Sequence, residues 1–489
     1  MVALRDYQME DLVFHIANEK SLNLSDPGTG KTPTVCVLSY YHWTKHQRKT
    51  LWSMPKSLLK KNREEMLRFS GYAPEDVVIL ESDFKPLTKS WTGPTFTRMK
   101  RRRIDTGKRG PDGKNLLTWE QVPEEACDLI AAAKDAKVFI MTFAFLRNHW
   151  RRLFETIPEL DVFLVDELHM GYGGPDSGQT ESFYWTNRKV SQFCGMTGTL
   201  VNGRLDSAFP AVHVVEPRYY GSHTGFLDQH ATFIDDYGRV LTWGHEDKLS
   251  EILRRHSVRH TFEEVYGDEP VVFFTDWVDM NPQMRENYDK FHDQAMLELE
   301  DGFLDGTLPG VATIRASQIM AHPETMGLCL HEQTAKDERL EVYAAENQPM
   351  LVFTTLQPEQ ERCFALLRRL GKRVALINDS VSASKRSQID EAFRAGDLDA
   401  IVGSWKTCAV GWNWERAEHV VGVSVDYQDV DLLQGYRRGS RGTRTTPLRV
   451  TFMGYRASID SRKFDILKTK SEMAHRVDPT RRIFDLNAR

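Results

Sequence analysis

LSDPGTGKT, residues 24 to 32, follows the short apolar run SLNL and precedes an apolar segment, TVCVLSYY. Glycines at Gly28 and Gly30 let the backbone bend so that its N–H groups face an anion. Lys31 then reaches β and γ phosphates, and the Thr32 hydroxyl is placed to hold magnesium. The cradle runs through Gly28, Thr29, Gly30, Lys31 and Thr32, with a strand before it and a helix after it, the opening of an α/β unit. It departs from GxxxxGK[ST] at its first position, where Ser25 stands.

FLVDELH, residues 163 to 169, ends an apolar run in two acids. Asp166 at the strand tip is placed to hold magnesium, directly or through water, and Glu167 to orient and deprotonate an attacking water. One acid would serve binding alone; two adjacent acids point to hydrolysis. Upstream, LRDYQ sets Gln8 shortly before the cradle, and its carboxamide offers the donor and the acceptor that adenine N6 and N7 require. Near the other end, QGYRRGSRG, residues 434 to 442, puts Gln434, Arg438 and Arg441 in one glycine-punctuated run. Arginine's permanently charged planar fork matches phosphate oxygens.

Short apolar runs alternate with helix-compatible segments along the chain, the rhythm of α/β architecture with parallel strands. The first series is SLNL (21–24), TLWSM (50–54), VVIL (77–80), KVFIM (137–141) and DVFLVD (161–166). The second is MLVFTT (350–355), RVALIN (373–378), DAIVGS (399–404), HVVGVSVD (419–426) and LRVTFM (448–453). Each series reads as a parallel sheet buried on both faces. Two sheets mean two lobes in tandem, residues 1–266 and 267–489, with the boundary near Gly267–Asp276. Charged helical periodicity in DKLSEILRRH and QMRENYDKFHDQAMLELE marks helical additions at about 205–266 and about 281–340.

A chain of 489 residues suits more than one domain. The net charge of -5 means that a nucleic-acid partner would have to be held by local basic patches. Cysteines stand at 36, 127, 194, 329, 363 and 408 with no CxxC pair and no Cys/His cluster of zinc spacing. That pattern argues against a disulfide framework and a structural zinc, and for a reduced, cytoplasmic interior. The start, MVALRDYQMEDL, is charged and lacks the apolar core of a signal peptide, and no apolar run is long enough to span a bilayer. A soluble cytoplasmic protein with no membrane partner is expected. One segment is compositionally odd: KSWTGPTFTRMKRRRIDTGKRGPDGKN, residues 89 to 115, is basic and carries turn signals at GP, RG and DG. It reads either as a solvated loop or as an insertion that contacts phosphates.

Taken in order, these motifs resemble superfamily 2 helicase-like ATPases over nearly the whole chain, and within them the Swi/Snf-type DNA translocases. LRDYQ (4–8) is similar to the adenine-reading motif, SDPGTGKT (25–32) to the small-residue variant of the phosphate loop, and VDELH to the DExH box. MPKSLLKKNREE (54–65) is similar to P-x-S-L-L-x-x-W-x-x-E, with Asn62 near the usual tryptophan. IMTFAFLR (140–147) resembles the next nucleic-acid segment and MTGTLVNGRLD (196–206) the TGTP-x-x-N motif, with Leu200 in place of proline. EPRYYGSHTGF (216–226) and ILRRHSVRHTFEEV (252–265) are similar to Swi/Snf segments. In the second lobe, MLVFTT and SKRSQIDEAF (384–393) occupy the expected places. GWNWERAEHVV (411–421) resembles G-x-N-L-x-x-A, although Trp412 and Trp414 replace leucines, and Tyr427 stands where the family has tryptophan. QGYRRGSR matches Q-x-x-x-R-x-x-R with its spacing intact.

The resemblance implies two RecA-like lobes that bind ATP with Mg2+, Arg5 joining Gln8 beside the adenine. Arg438 and Arg441 would be arginine fingers for the γ-phosphate held by Lys31, with Gln434 near the attacking water. Thr197 and Thr199 would couple the ATP site to the DNA-facing surface. Lys56, Ser57 and Thr142 on the first lobe, and Thr354, Ser404, Lys406 and Thr407 on the second, would grip the sugar–phosphate backbone. Trp405, Trp412 and Trp414 are candidates for base stacking, with packing favoured for at least two of them. The implied activity is an ATP-driven DNA translocase, acting as a monomer on duplex, forked or branched DNA rather than RNA, in replication, recombination or repair. The alternatives are a strand-separating or branch-migrating DNA or RNA helicase, and a nucleic-acid-binding scaffold with a vestigial ATPase. A bare motor of this length resembles a bacteriophage or mobile-element protein, working in the host cytoplasm, more than a chromatin remodeller.

Overall fold

All ten apolar runs singled out in the sequence are strands, and they build two separate parallel sheets. The structure is a computed structural model. It describes residues 3–109, 115–172, 174, 177–201, 203–267, 270–299, 302–305, 309–328, 333–408, 412–440, 444 and 446–486. The chain divides into two compact units, Met1–Asn23 with Gly30–Met196, and Leu24–Thr29 with Thr197–Arg489. Residues 197–266, assigned on sequence to the first lobe, thus pack within the second unit.

In the first unit the strands are β1 (Lys20–Asn23), β2 (Lys49–Met54), β3 (Val77–Leu80), β4 (Phe84–Pro86), β5 (Thr95–Arg109), β6 (Asn115–Asp128), β7 (Val138–Thr142), β8 (Leu160–Val165) and β9 (Gln192–Met196). The parallel sheet runs in the order β1-β9-β8-β2-β7-β3. Central strand β2 is buried along its whole length, with Trp52 set between Ile140 and Leu164 of its two neighbours. Trp52, Phe139 and Phe163 are fully buried. Complete burial of an aromatic or aliphatic side chain contributes about 1.5–3 kcal/mol, which is why runs rather than alternation specify this sheet. Helices α1 (Asp6–Ala17), α2 (Lys31–His46), α3 (Leu59–Phe69), α4 (Leu129–Ala132), α5 (Phe143–Thr156), α6 (Leu168–Gly171) and α7 (Gly178–Lys189) connect the strands.

The basic segment 89–115 is corrected by the structure where it is described: it is no loop but most of an antiparallel ribbon, β5 paired with β6 from Thr95↔Cys127 to Arg109↔Asn115. Its residues 110–114 lie outside the described residues. Charge and turn residues hid a strand whose cross-strand partners sit beyond the turn signals.

In the second unit, residues 197–266 hold short helices, an antiparallel hairpin of β10 (Ala231–Ile234) with β11 (Val240–Trp243), and the two-residue strand β12 (Ser257–Val258). The parallel sheet uses β13 (Val271–Val278), β16 (Met350–Thr354), β17 (Val374–Ile377), β18 (Ala400–Ser404), β19 (His419–Gly422) and β20 (Leu448–Tyr455), in the order β13-β20-β19-β16-β18-β17. A small hairpin, β14 (Met296–Leu299) with β15 (Gly302–Asp305), interrupts the helices between β13 and β16. The boundary expected at 267–276 therefore contains an edge strand, β13, whose alternating half-exposed pattern differs from the buried runs beside it. Trp405, Trp414, Tyr436, Phe452 and Phe464 share one core in this unit. Among the described residues no helix is long and apolar enough to cross a membrane. Cys36, Cys127, Cys194, Cys363 and Cys408 are buried free thiols, and Cys329 lies outside the described residues.

Candidate nucleotide site

Parallel pairing places the C-terminal ends of β1, β9, β8, β2 and β7 along one edge of the first sheet, the edge at which α/β sheets bind ligands. The cradle leaves β1 there and enters α2. Gly28 and Gly30 both adopt a φ of 89°, a conformation that disfavours every side chain but hydrogen. At Gly30 a Cβ would also stand 2.5 Å from Gln8 Nε2. Helix α2 begins with Lys31, has no side-chain cap at its N-terminus, and carries no acid in its first turn. Its positive dipole end thus meets the glycine turn without an opposing acid of its own first turn, as a phosphate cradle requires.

Gln8 is buried and braces this turn. Its Nε2 donates to the Gly30 carbonyl at 2.9 Å, while its Oε1 accepts from the Arg5 backbone N–H at 2.9 Å. The carboxamide expected at adenine therefore ties α1 to the cradle, and the Arg5 side chain is exposed.

Strand β8 delivers Asp166 and Glu167 to the same edge. Asp166 is partly buried; its backbone N–H donates to Ser53 O at 3.0 Å, and its Oδ1 accepts from the Glu167 N–H at 3.0 Å. Its other oxygen accepts from Asn62 Nδ2 at 2.7 Å. Burial first, then the Glu167 charge, pushes the Asp166 carboxyl upward, against the pull of Asn62 and Lys31. Glu167 sits at φ 50°, ψ 54°, a left-handed conformation that costs a non-glycine residue of order 1 kcal/mol or more and that clusters at functional sites. His169 Nδ1 lies 3.6 Å from its carboxylate.

From α3, Glu65 adds a third carboxyl, within the field of Asp166. Burial raises it above the ordinary carboxylate range, and the nearby Asp166 charge adds to that, while Lys61 and a hydrogen bond from Thr32 oppose it. Sequence reading missed both Asn62 and Glu65 as site residues. The signal was their spacing, three apart on one helix, in the stretch that ends NREE. Thr32, Asp166 and Glu65 offer oxygen donors only, the chemistry that a hard divalent cation such as Mg2+ prefers.

The first half of the loop, Leu24–Thr29, is laced into the second unit. Leu24 N–H donates to Val258 O at 2.9 Å, Asp26 N–H to His260 O at 2.9 Å, and the Tyr266 hydroxyl to Gly28 O at 3.1 Å. Asp26 carries two arginines, Arg259 at 2.9 Å and Arg437 at 3.1 Å, and also accepts from the Phe262 N–H at 3.1 Å. Burial alone would raise this carboxyl; Arg437 and Arg259 hold it down to about 2. Gly198 packs on the same loop, where a Cβ would meet Pro27 at 2.7 Å. Thr197 and Thr199 flank it, both buried, with the Thr199 N–H donating to Thr197 Oγ1 at 3.1 Å.

Arg437 is the arginine that spacing passed over, since the pattern selects its neighbours. The sign it left was Asp26, an acid in a phosphate loop that needs a cation. Gln434 and Arg438 are buried at the end of the helix Asp429–Tyr436. The Arg438 carbonyl accepts from Trp414 N–H at 2.8 Å, and Arg444 donates to the carbonyls of Glu415, Ala417 and Gly439, so the two motif loops are knit together. Arg441 lies outside the described residues.

The residues expected at a nucleic-acid backbone also stand at strand ends. Lys56 and Ser57 are exposed just past β2, and Thr142 ends β7 and caps α5 by accepting from Phe145 N–H at 3.1 Å. In the second unit Thr354 and Ser404 are register partners at the ends of β16 and β18. Ser404 bonds Thr407 at 2.8 Å and Lys406 is exposed, whereas Thr354 is buried. Trp405 and Trp414 are core residues, as packing required, and Trp412 stacks on Trp414 with centroids 5.6 Å apart.

Residues 331–443 match the family described as helicase conserved C-terminal domain. Among solved structures, the chain is similar in fold to the Hef helicase domain of Pyrococcus furiosus, with a TM-score of 0.51 at 14% identity over 94% of this chain and 97% of that one. The chain thus carries a segment that matches the helicase C-terminal domain, on a fold shared with a helicase domain. The Sulfolobus solfataricus SWI2/SNF2 ATPase core in complex with dsDNA also matches, at 15% identity and a TM-score of 0.40, over 95% of this chain and 90% of that one. No curated protein matches the sequence. The matched family segment contains Gln434, Arg437, Arg438 and Arg441, so the arginine-rich run lies within the stretch that matches the helicase C-terminal domain.

Proposed function

We propose that this chain is an ATP-dependent DNA translocase, a hydrolase that uses ATP turnover to move on duplex, forked or branched DNA. The observation that carries the reading is the partly buried Asp166 at the tip of β8, oriented by Asn62, next to Glu167 and within the field of Lys31. The γ-phosphate of ATP lies in the cradle of Gly28 to Thr32. Glu167 draws a proton from water as the water oxygen bonds to phosphorus and the bridging bond to ADP breaks. Mg2+, when bound by Thr32 and Asp166, supplies charge neutralisation for the phosphate oxygens. Arg438 and Arg441 act as the arginines that stabilise the transition state, with Gln434 placing the water.

Exposed Lys56 and Ser57 stand past β2, the direct neighbour of β8, so nucleotide chemistry and a backbone grip share one sheet edge in the first unit. Backbone grips position without reading bases, which supports weak sequence preference and steep salt dependence. The Swi/Snf character of the motifs supports translocation without full strand separation. The test is the ATPase rate with single-stranded, duplex, forked and four-way DNA and with RNA. Stimulation by duplex or branched DNA is expected; stimulation by RNA alone would overturn the DNA assignment.

A further inference from the structure

Between β3 and β7 the first unit carries a feature that nucleotide chemistry does not use: the antiparallel ribbon of β5 and β6. Strand β5 is 15 residues long, roughly 50 Å at the usual rise per residue. Its base is pinned to α5 by one side chain. Arg152 pairs with Asp83 at 3.0 Å and Asp128 at 2.7 Å, and its guanidinium lies 4.1 Å from the Phe96 ring centroid.

The two faces of the ribbon differ in charge. On one, Arg98 and Lys100 are neutralised by Glu124, at 3.0 Å and 2.8 Å. The other is set by the register pairs Met99↔Pro123, Arg101↔Gln121 and Arg103↔Trp119. There Arg103 lies over the Trp119 ring at 5.1 Å, and Met99 and Trp119 are 59% and 60% exposed. No carboxylate of the described residues pairs with Arg101 or Arg103. By register two acids share that face, Glu125 near the base opposite Thr97 and Asp105 opposite Leu117. A long exposed strand pair normally carries neutralising or blocking side chains, and this face keeps its cations open instead.

We propose that the Arg101–Arg103–Trp119 face docks on the sugar–phosphate backbone of duplex DNA, as a second grip separate from the strand-end residues. Charge complementarity favours a polyanion, and Trp119 holds the Arg103 fork flat and pre-ordered for a phosphate. A two-stranded ribbon also has the width that the major groove admits. The proposal rests on the translocase reading and adds an element to it.

The experiment is duplex binding by the full chain, followed by fluorescence anisotropy across a salt series, for wild type, R101A/R103A, W119A and the opposite-face control K100A. Loss of two phosphate contacts should weaken binding roughly ten- to thirtyfold at physiological salt and lower the salt slope by about 1.8. W119A should weaken binding less, K100A little, and basal ATP hydrolysis without DNA should hold in all of them. Unchanged affinity and slope in R101A/R103A, with wild type still binding, overturns the ribbon's role and points its face to a protein partner, leaving the motor reading intact. A wild-type chain that binds no DNA overturns both.

Discussion

Asn62 donates a 2.7 Å hydrogen bond to Asp166, so the partly buried acid of the candidate nucleotide site is oriented by a residue from α3, where the resembling family has tryptophan nearby. Asp166 is charged at a cost, because burial and the Glu167 charge both favour its protonated form. The Asn62 amide offsets part of that cost and fixes which oxygen faces outward. Lys31 and bound Mg2+ would offset the rest.

Replacing Asn62 by Leu should therefore raise the Mg2+ concentration needed for half-maximal ATPase and lower turnover about 10- to 100-fold. The acid limb of the pH–rate profile should move to higher pH, since the lost hydrogen bond favours the charged form of Asp166. Mg2+ titrations of ATPase rate at several pH values check this; an unchanged profile would mean that Asn62 only packs.

Gly30→Ala tests the cradle. A methyl group there collides with Gln8 at 2.5 Å and is strained at a φ of 89°. The turn must shift, and ATP affinity should fall at least about tenfold, read by nucleotide-analogue fluorescence. Melting temperature should fall only modestly, because the disturbance is confined to one turn and an exposed-side helix start.

Asp26 links stability to pH. Its folded carboxyl is held at about 2 against an ordinary 3.8, despite burial that by itself acts the other way. The folded state thus takes up this proton less readily than the unfolded chain. Its contribution, about 2 kcal/mol, is complete above pH ~4 and fades as pH falls through about 2. Asp26→Asn should cost about 2–4 kcal/mol at pH 7 by depriving Arg437 and Arg259 of their shared carboxylate, and much less near pH 2. Urea unfolding at the two pH values measures the difference; equal stability of the two proteins at pH 7 would contradict the ion-pair account.

Arg438→Ala and Arg441→Ala should each cut DNA-stimulated ATPase by about 10^3 or more while ATP and DNA still bind. Near-wild-type turnover in either variant removes that arginine from the catalytic role. Arg437→Ala separates the two kinds of arginine in the run, since its loss should lower stability more than it lowers turnover per folded molecule.

How much of this was readable from sequence depended on the range of the forces involved. Buried parallel strands declare themselves as apolar runs, so ten of them were legible without any contact information. Strand β9, QFCGM, was not, because a glutamine, a cysteine and a glycine dilute its apolar signal although all five residues are buried. Strand β13 was hidden by its edge position and by lying where a boundary was expected. The β5–β6 ribbon was hidden because its partners are set by cross-strand register, and composition alone shows only charge. At the candidate site, Lys31, Asp166 and Glu167 were proposed from local spacing. Asn62, Glu65 and the Arg437–Asp26 pair were not, since each depends on which side chains the fold brings together across tens or hundreds of residues.

The most direct test of the central claim is the Glu167→Gln variant, assayed for ATP binding and for duplex-stimulated hydrolysis beside wild type. The arrangement around Asp166 predicts that the variant binds ATP and Mg2+ as wild type does and loses turnover by at least about 100-fold. Hydrolysis at the wild-type rate in that variant, or a wild-type chain that binds ATP and hydrolyses none with any nucleic acid, would contradict it.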